Sequence, residues 1–309
     1  MRILVTGATG VIGRRVVPLL IAGGHQVTAA GRNPERLAAL QRAGAAAEPL
    51  DLLDREAVRG VVPGHDVLVN LATHIPSSST RMMLRWSWRQ NDRIRRDGSA
   101  ILAEEASRAG VKRFVQESFA PIYEDAGDRW IGEGAPVRTV PYNRSARDAE
   151  RSAEGFTGRG GSGVVLRFGA FYGPDARHVL EMLRVLRRGW APLPGAPGAY
   201  LSSISHDDAA GAVLAALDAP AGIYNVVDDE PLTRREYFDA FADAFALPRT
   251  RLLPAWAGKL MGSLGELLSR SQRISNRRLR ALGWVPRYPS ARDGFRAMAA
   301  ELRGRGVAP

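Results

Sequence analysis

Glycines at positions 7, 10 and 13, set directly behind an apolar run, are the residues whose type and spacing most plainly imply chemistry. The run from Arg2 to Thr6 suits a buried parallel strand, and it breaks at Gly7 into a loop from which a helical pattern departs at once. Strand, tight turn and helix in that order suit the pyrophosphate of a dinucleotide. Gly7 permits the turn, Gly10 removes a side chain where phosphate must approach, and Gly13 lets the helix pack on the strand. Thr9, Val11 and Ile12 complete the loop, and free amides at the helix start face the anion.

A second signal follows the next strand, read as Gln26 to Ala30. It leads into Gly31-Arg32, about where a dinucleotide fold reads the adenosine ribose. An acid there would accept hydrogen bonds from a free 2′-hydroxyl and select NAD. Gly31 leaves that spot empty and Arg32 offers a guanidinium instead, which favours NADP over NAD, with Arg14 as a second phosphate ligand. The alternative for either arginine alone is surface charge.

The elements that must position these groups are legible in outline. A first helix spans Val11 to Ala22 with Pro18 inside it, expected to kink there. Pro34 to Arg42 reads as a helix, Ala45 to Leu50 and Asp66 to Asn70 as strands, and His74 to Thr80 as a polar loop forming a substrate wall. A long arginine-rich helix runs to Ala109, followed by a strand from Lys112 to Gln116. Residues 124 to 140 lack periodicity and read as a loop at a cleft edge. Gly163 to Phe168, Tyr200 to Ser205 and Gly222 to Val227 read as further strands, and 191 to 198 as a Pro/Gly hinge. Thr233 and Glu236 form a capping box ahead of an aromatic helix face, Tyr237, Phe238, Phe241 and Phe245.

The turn reads GATGVIG, a TGxxGxxG spacing rather than GxGxxG, and here the sequence resembles the extended short-chain dehydrogenase/reductase family, which includes NAD-dependent epimerases and dehydratases. The likeness continues through LRFGAFYGPDA, from Leu166, and the C-terminal segment from Ser271. It implies that Asp51 and Leu52 meet the adenine edge, although Asp51 could equally cap a helix. It implies that Leu71, Ala72 and Thr73 run under the cofactor, and that Arg167, Phe168 and Phe171 flank it. Ser118 stands where the family hydrogen-bonds the reacting oxygen, and Tyr142, in PYNRSARDAE, where it carries its catalytic tyrosine.

Two departures bear on the chemistry. Position 146, four beyond the tyrosine, is alanine where the family has a lysine that lowers the tyrosine pKa and holds the nicotinamide ribose. Arg95, three before Gly98, stands where the family has a helix asparagine. A tyrosine titrates near about 10 and needs lowering by about 3, roughly 4 kcal/mol, to work near neutrality. Arg144 and Arg147 point away from the face shared by residues 142 and 146. His178 reads as a packed or surface histidine, Asp208 as a cap, and Arg273, Arg277 and Arg278 as a solvated helix face.

Composition narrows the partners. A chain of 309 residues, 45% hydrophobic and without cysteine, can bury a large core and excludes disulfides, cysteine metal sites and thiol catalysis. The formal charge of +11 comes from basic residues interleaved with acids rather than gathered in a stripe, which argues against nucleic acid. Of the 43 basic residues only Lys112 and Lys259 are lysines. With no apolar run long enough for a bilayer and no export pattern, a cytoplasmic monomer or homodimer without membrane contact or metal is expected.

The expected fold is α/β, a doubly wound parallel Rossmann sheet with a smaller C-terminal substrate lobe. Residues 1–173, rejoined by 199–227, form the NADP-binding domain, and 174–198 with 228–309 form the lobe. Three functions fit. One is an NADP-dependent oxidoreductase acting on a carbonyl or alcohol, with Tyr142 as proton donor and Ser118 as its partner. Another is an epimerase, dehydratase or cyclase using cofactor transiently or not at all. The third is a nucleotide-binding regulator without chemistry.

Overall fold

The computed structural model describes residues 1–76, 78–175, 177–254 and 256–306, and of Ser79, Arg177, His178 and Leu180 the backbone alone. The reading of His178 therefore falls outside the described side chains. The strands are β1 (Arg2–Thr6), β2 (Gln26–Gly31), β3 (Ala46–Pro49), β4 (Val67–Asn70), β5 (Arg113–Phe119), β6 (Trp130–Ile131) and β7 (Ser162–Phe168), then β8 (Ala170–Tyr172), β9 (Tyr200–Leu201), β10 (Ser203–Ser205), β11 (Gly222–Val226), β12 (Leu232–Thr233) and β13 (Arg273–Ile274). Seven form one parallel sheet in the order β11-β7-β5-β4-β1-β2-β3. The chain winds outward from β1 through β2 and β3, then returns to β4 and winds the other way. That reversal opens a crevice between the carboxyl ends of β1 and β4, the place where such sheets bind ligands.

Near-continuous runs of Val, Ile and Leu in β1, β4, β5 and β7 suit strands covered on both faces. One face carries the helix α1 (Gly13–Ala22) through Val16, Val17 and Leu20, packed with Ala209, Ala212 and Val213 of a later helix. The helix α2 (Pro34–Arg42) lies on the same face, where Leu40 joins that core. The opposite face is covered by α3 (Arg55–Val61), α6 (Ser99–Arg108) and α7 (Arg144–Gly158), with α4 (Ser79–Met83) and α5 (Arg89–Arg93) preceding α6 in the chain. Its core joins Leu102 and Ala106 of α6 to Ala153 and Phe156 of α7 over Leu4, Leu68 and Phe114. A separate core gathers Tyr172, Leu183, Phe238, Phe241 and Phe295, where the aromatic helix face of residues 237–245 packs as expected. The Thr233–Glu236 capping box is present.

Four expectations change. The long arginine-rich helix is broken: α4 is followed by a 3₁₀ turn (Arg85–Trp88), α5, a π-helical turn (Ile94–Gly98) and α6. Gly98 sits against Leu52, whose Cβ would lie 3.1 Å from any side-chain carbon added there. The loop of residues 124–140 carries β6, paired with β13 far along the chain. Asp208 is not the cap of its helix, because Ser205 accepts from the Asp208 amide at 3.0 Å, and the Asp208 carboxylate accepts from the amides of Arg287 and Tyr288. Arg273 and Arg278 stack on Trp130 and Tyr224 at 4.2 and 4.7 Å rather than standing free in solvent.

Candidate cofactor and active site

A cavity of about 500 Å³ occupies the crevice. Gly7, Thr9 and Gly10 line it from the end of β1, Arg32 and Arg36 from the end of β2, Asp51 and Leu52 after β3, and Leu71, Ala72 and Thr73 after β4. The fit to a dinucleotide rests on the glycines. Gly7 has φ +70°, and a Cβ on it would fall 2.6 Å from the Ala72 amide nitrogen. A Cβ on Gly13 would fall 2.4 Å from the Gly7 carbonyl, so that glycine seats the helix on the turn. A Cβ on Gly10 would meet only the Gly7 carbonyl, at 3.1 Å, and is otherwise open toward the cavity. Among the described residues the amides of Val11, Ile12 and Gly13 have no backbone partner, as an anion at a helix start requires. Gly10→Val should therefore abolish NADPH binding while leaving the melting temperature nearly unchanged. Normal NADPH titration of that variant would refute the assignment of this loop.

At the adenosine end the structure refines the reading of Gly31. A Cβ there would lie 2.9 Å from the Thr9 side chain, so Thr9 fills the space that a larger residue would need. Arg32 reaches across to His74 at 3.5 Å, and Arg36 donates to the Thr9 carbonyl at 3.2 Å. Asn33 caps α2 by accepting from the Arg36 amide at 2.9 Å. Arg36 was not singled out from sequence, because one arginine in an amphipathic helix looks solvated. Arg14 does not join them. It pairs with Asp175, which also takes Arg15 at 2.8 Å, so its charge is committed to the loop after β8. Asp51 accepts from the Leu53 amide at 3.0 Å, while Asp54 caps the following helix.

Beneath the crevice the carboxyl ends of the strands carry a polar row. Thr6 donates to Asn70 at 2.7 Å, and Asn70 donates to Gln116 at 2.9 Å and to Ser99 at 3.1 Å. Further along, Ser118 is fully buried and donates to Glu150 of α7 at 2.6 Å. Arg167 grips the same carboxylate through Nε at 2.7 Å and Nη2 at 2.8 Å, and Arg147 reaches it from α7. Burial alone would push the Glu150 carboxyl up, but the Arg167 hydrogen bonds outweigh it and hold the group below its ordinary range. The Arg167 guanidinium is held above its own ordinary value by the same pairing, against the effect of burial. These positions correct the expected roles of two residues. Ser118 and Arg167 face into the sheet-helix interior because strand alternation turns both toward α7. Phe168 is buried on the other face, and Phe171, half-buried, stacks on it with ring centroids 5.3 Å apart.

Tyr142 lies in the turn just before α7, half-buried, and donates to the Met83 carbonyl at 2.9 Å. Trp88 meets its ring edge-on at 6.1 Å and donates to the Met82 carbonyl at 2.9 Å. Ser118 and Tyr142 are thus not brought together by any described contact. Ala146 is wholly buried. Arg95 of the π-helical turn pairs with Glu117 of β5, and both are buried. Of the loop from His74 to Thr80, Ser77 lies outside the described residues, and the His74 amide is held by Asn91 at 2.9 Å. Among the described residues no cluster of His, Asp or Glu has a metal-holding arrangement, and no helix is long and apolar enough to cross a membrane.

The family model for NAD(P)H-binding proteins matches residues 7–220. The UDP-glucose 4-epimerase of Thermus thermophilus, solved with NAD, superposes with a TM-score of 0.79 at 26% identity, over 98% of this chain and 99% of that one. The chain belongs to the extended short-chain dehydrogenase/reductase family. Within this short-chain dehydrogenase/reductase group it is 36% identical to a 3-diazoavenalumate denitrifying reductase of a Streptomyces species, over 96% of this chain and 99% of that protein. It is 25% identical to a 4-hydroxy-2-methyl-3-oxo-4-farnesyl-3,4-dihydroquinoline-1-oxide ketoreductase of Stigmatella aurantiaca, over 99% of this chain and 88% of that one. Its family relatives are thus reductases and epimerases, and its crevice is that of an NAD(P)-binding protein.

Proposed function

We propose that this protein is an NADP-dependent reductase of small organic molecules, with residues 1–173 and 199–227 holding the cofactor and 174–198 with 228–309 closing over the substrate. The observation that carries the reading is the pair Arg32 and Arg36 at the adenosine end of the cavity, where Thr9 fills the space beside Gly31. Gly7, Gly10 and the amides of Val11 to Gly13 would hold the pyrophosphate. Asp51 and Leu52 would border the adenine, and Leu71 to Thr73 would run beneath the cofactor. When bound, NADPH supplies a hydride.

Tyr142 would hold or move a proton at its hydroxyl, once that hydroxyl has left the Met83 carbonyl. Ser118 acts at one remove, by fixing Glu150. With alanine at 146, Tyr142 has no lysine to make it a ready acid. This favours an acceptor that needs little help from one. A ketone becomes an alkoxide and requires a proton, whereas an aryl diazonium ion and a hydride balance to an arene and dinitrogen with no proton consumed. The Streptomyces relative is named for such a substrate. A small aromatic diazo compound is therefore the first acceptor to test, and a ketone and alcohol panel the second.

The test is the loss of NADPH absorbance with each compound. Steady oxidation by a diazo compound supports the reading. Conversion of a substrate with no net change in NADPH would overturn it in favour of an epimerase or dehydratase. Ala146→Lys should raise reduction of a generic ketone by about tenfold or more, since a well-tuned general acid contributes at least that much. If the unaltered protein already reduces ketones at ordinary rates, and Tyr142→Phe leaves them unchanged, the tyrosine has no such role.

A further inference from the structure

The ion pair of Arg95 and Glu117 has no part in the roles assigned above. Both side chains are buried, and the guanidinium meets the carboxylate on two edges, Nε to Oε2 at 3.2 Å and Nη2 to Oε1. Removing two charges from water makes such a pair a poor device for stability alone. Its location suggests another use. Arg95 follows Ile94, which lines the cofactor cavity. The same stretch touches the crevice twice more, through Asn91 on the His74 amide and Gly98 on Leu52. Glu117 lies on β5, the next strand beyond β4, whose loop of residues 71–73 lines the cavity. Arg32 and Arg36 follow β2 on one side of the crevice between β1 and β4, and β5 lies on the other side of it in the sheet, the side left for the nicotinamide half of the dinucleotide.

Two further features agree. Arg95 is carried on a π-helical turn, a local insertion that re-aims side chains and recurs at functional sites. That turn packs on α7, the helix in which position 146 is a wholly buried alanine. A lysine at that position would both hold the nicotinamide ribose and bring a lone positive charge to the tyrosine.

Resting on the cofactor reading above, we infer that the Arg95–Glu117 pair is the anchor for the nicotinamide ribose. The guanidinium donates to one ribose hydroxyl and the carboxylate accepts from the other. The two jobs of the missing lysine are thereby separated. As a unit of no net charge the pair orients the ribose, but it gives Tyr142 little of the field a lone ammonium ion would. Arg95 and Glu117 are positioning residues, and the site holds its cofactor firmly while remaining a weak acid.

Removing one partner would strand a buried charge, so the test uses the double variant Arg95→Met/Glu117→Leu, which keeps the volume apolar and the fold intact. Two ligands are titrated into the full chain: NADPH, and 2′,5′-ADP, which carries the adenosine half and no nicotinamide. The Kd for 2′,5′-ADP should be unchanged, while that for NADPH should rise about tenfold, the loss of one charged hydrogen bond. Adding Ala146→Lys to the double variant should recover most of that loss. If 2′,5′-ADP and NADPH weaken together, or if neither weakens, the inference fails while the cofactor reading stands. If the unaltered protein does not bind 2′,5′-ADP at all, the cofactor reading fails and takes this inference with it.

Discussion

Glu150→Ala should destabilise the protein by about 3 to 5 kcal/mol, the cost of leaving a buried Arg167 without its counter-charge. Arg167 is 1% exposed, and its described partners are the Glu150 carboxylate and the face of Tyr123, 4.9 Å away. The double change Glu150→Leu/Arg167→Met should cost far less, because it removes both charges and keeps the volume. Urea titrations of the two variants at neutral pH check this. Equal losses would mean that the packing of the site, not the pairing, is what matters.

The same group sets one side of the pH dependence. The Glu150 carboxyl is held below its ordinary value, so its stabilisation is present above the unfolded value, near 4.5, and is lost as pH falls below it. Asp228 behaves oppositely. It is fully buried, accepts from Ser203 at 2.9 Å and Tyr172 at 3.4 Å, and is pushed well above its unfolded value of 3.8 by burial. Its contribution is present below that value and is lost as pH rises through the folded one. Asp228→Asn should thus raise the melting temperature at neutral pH and flatten its fall from acid toward neutrality. A lower melting temperature at neutral pH would contradict this.

The second large effect concerns cofactor choice. Arg32→Ala should weaken NADPH binding by about 1.5 to 3 kcal/mol, roughly ten- to a hundredfold, through lost charged hydrogen bonds to the 2′-phosphate. Arg36→Ala should add a loss of the same kind, and the double variant should bind NADPH and NADH alike. Fluorescence titration of both cofactors decides it. Equal affinities in the unaltered protein would remove the basis of the NADP reading.

Much of the crevice is legible before folding because it is built from local chain. A glycine with positive φ, a helix start and a strand end lie within thirteen consecutive residues, and each needs only its neighbours. Ser118 and Arg167 are not legible in that way. Near a strand's end alternate residues face either the ligand or the interior, and only the position of α7 decides which. Glu150 and Arg147 look like a solvated pair on an arginine-rich helix until the sheet buries one of them. The π-helical turn is hidden for a related reason: a run of polar and arginine residues carries too little periodicity to reveal one inserted residue. Arg95 could be marked as out of place from sequence, but its partner Glu117 is 22 positions away and had no signal of its own.

The polar row beneath the crevice also bears on how the strands find their neighbours. Parallel strands pair residues far apart in the chain, and runs of Val, Ile and Leu offer little to distinguish one alignment from the next. Thr6 stands opposite Asn70, Asn70 opposite Gln116, Ser118 opposite Arg167, and Arg167 opposite Asn225. A slip of one residue in any of these pairings would turn a hydrogen-bonding side chain onto the wrong face of the sheet and leave its mate stranded among hydrocarbon. The row therefore acts as an alignment key during folding, penalising every misregistered sheet at the same level, the level on which the cofactor must rest.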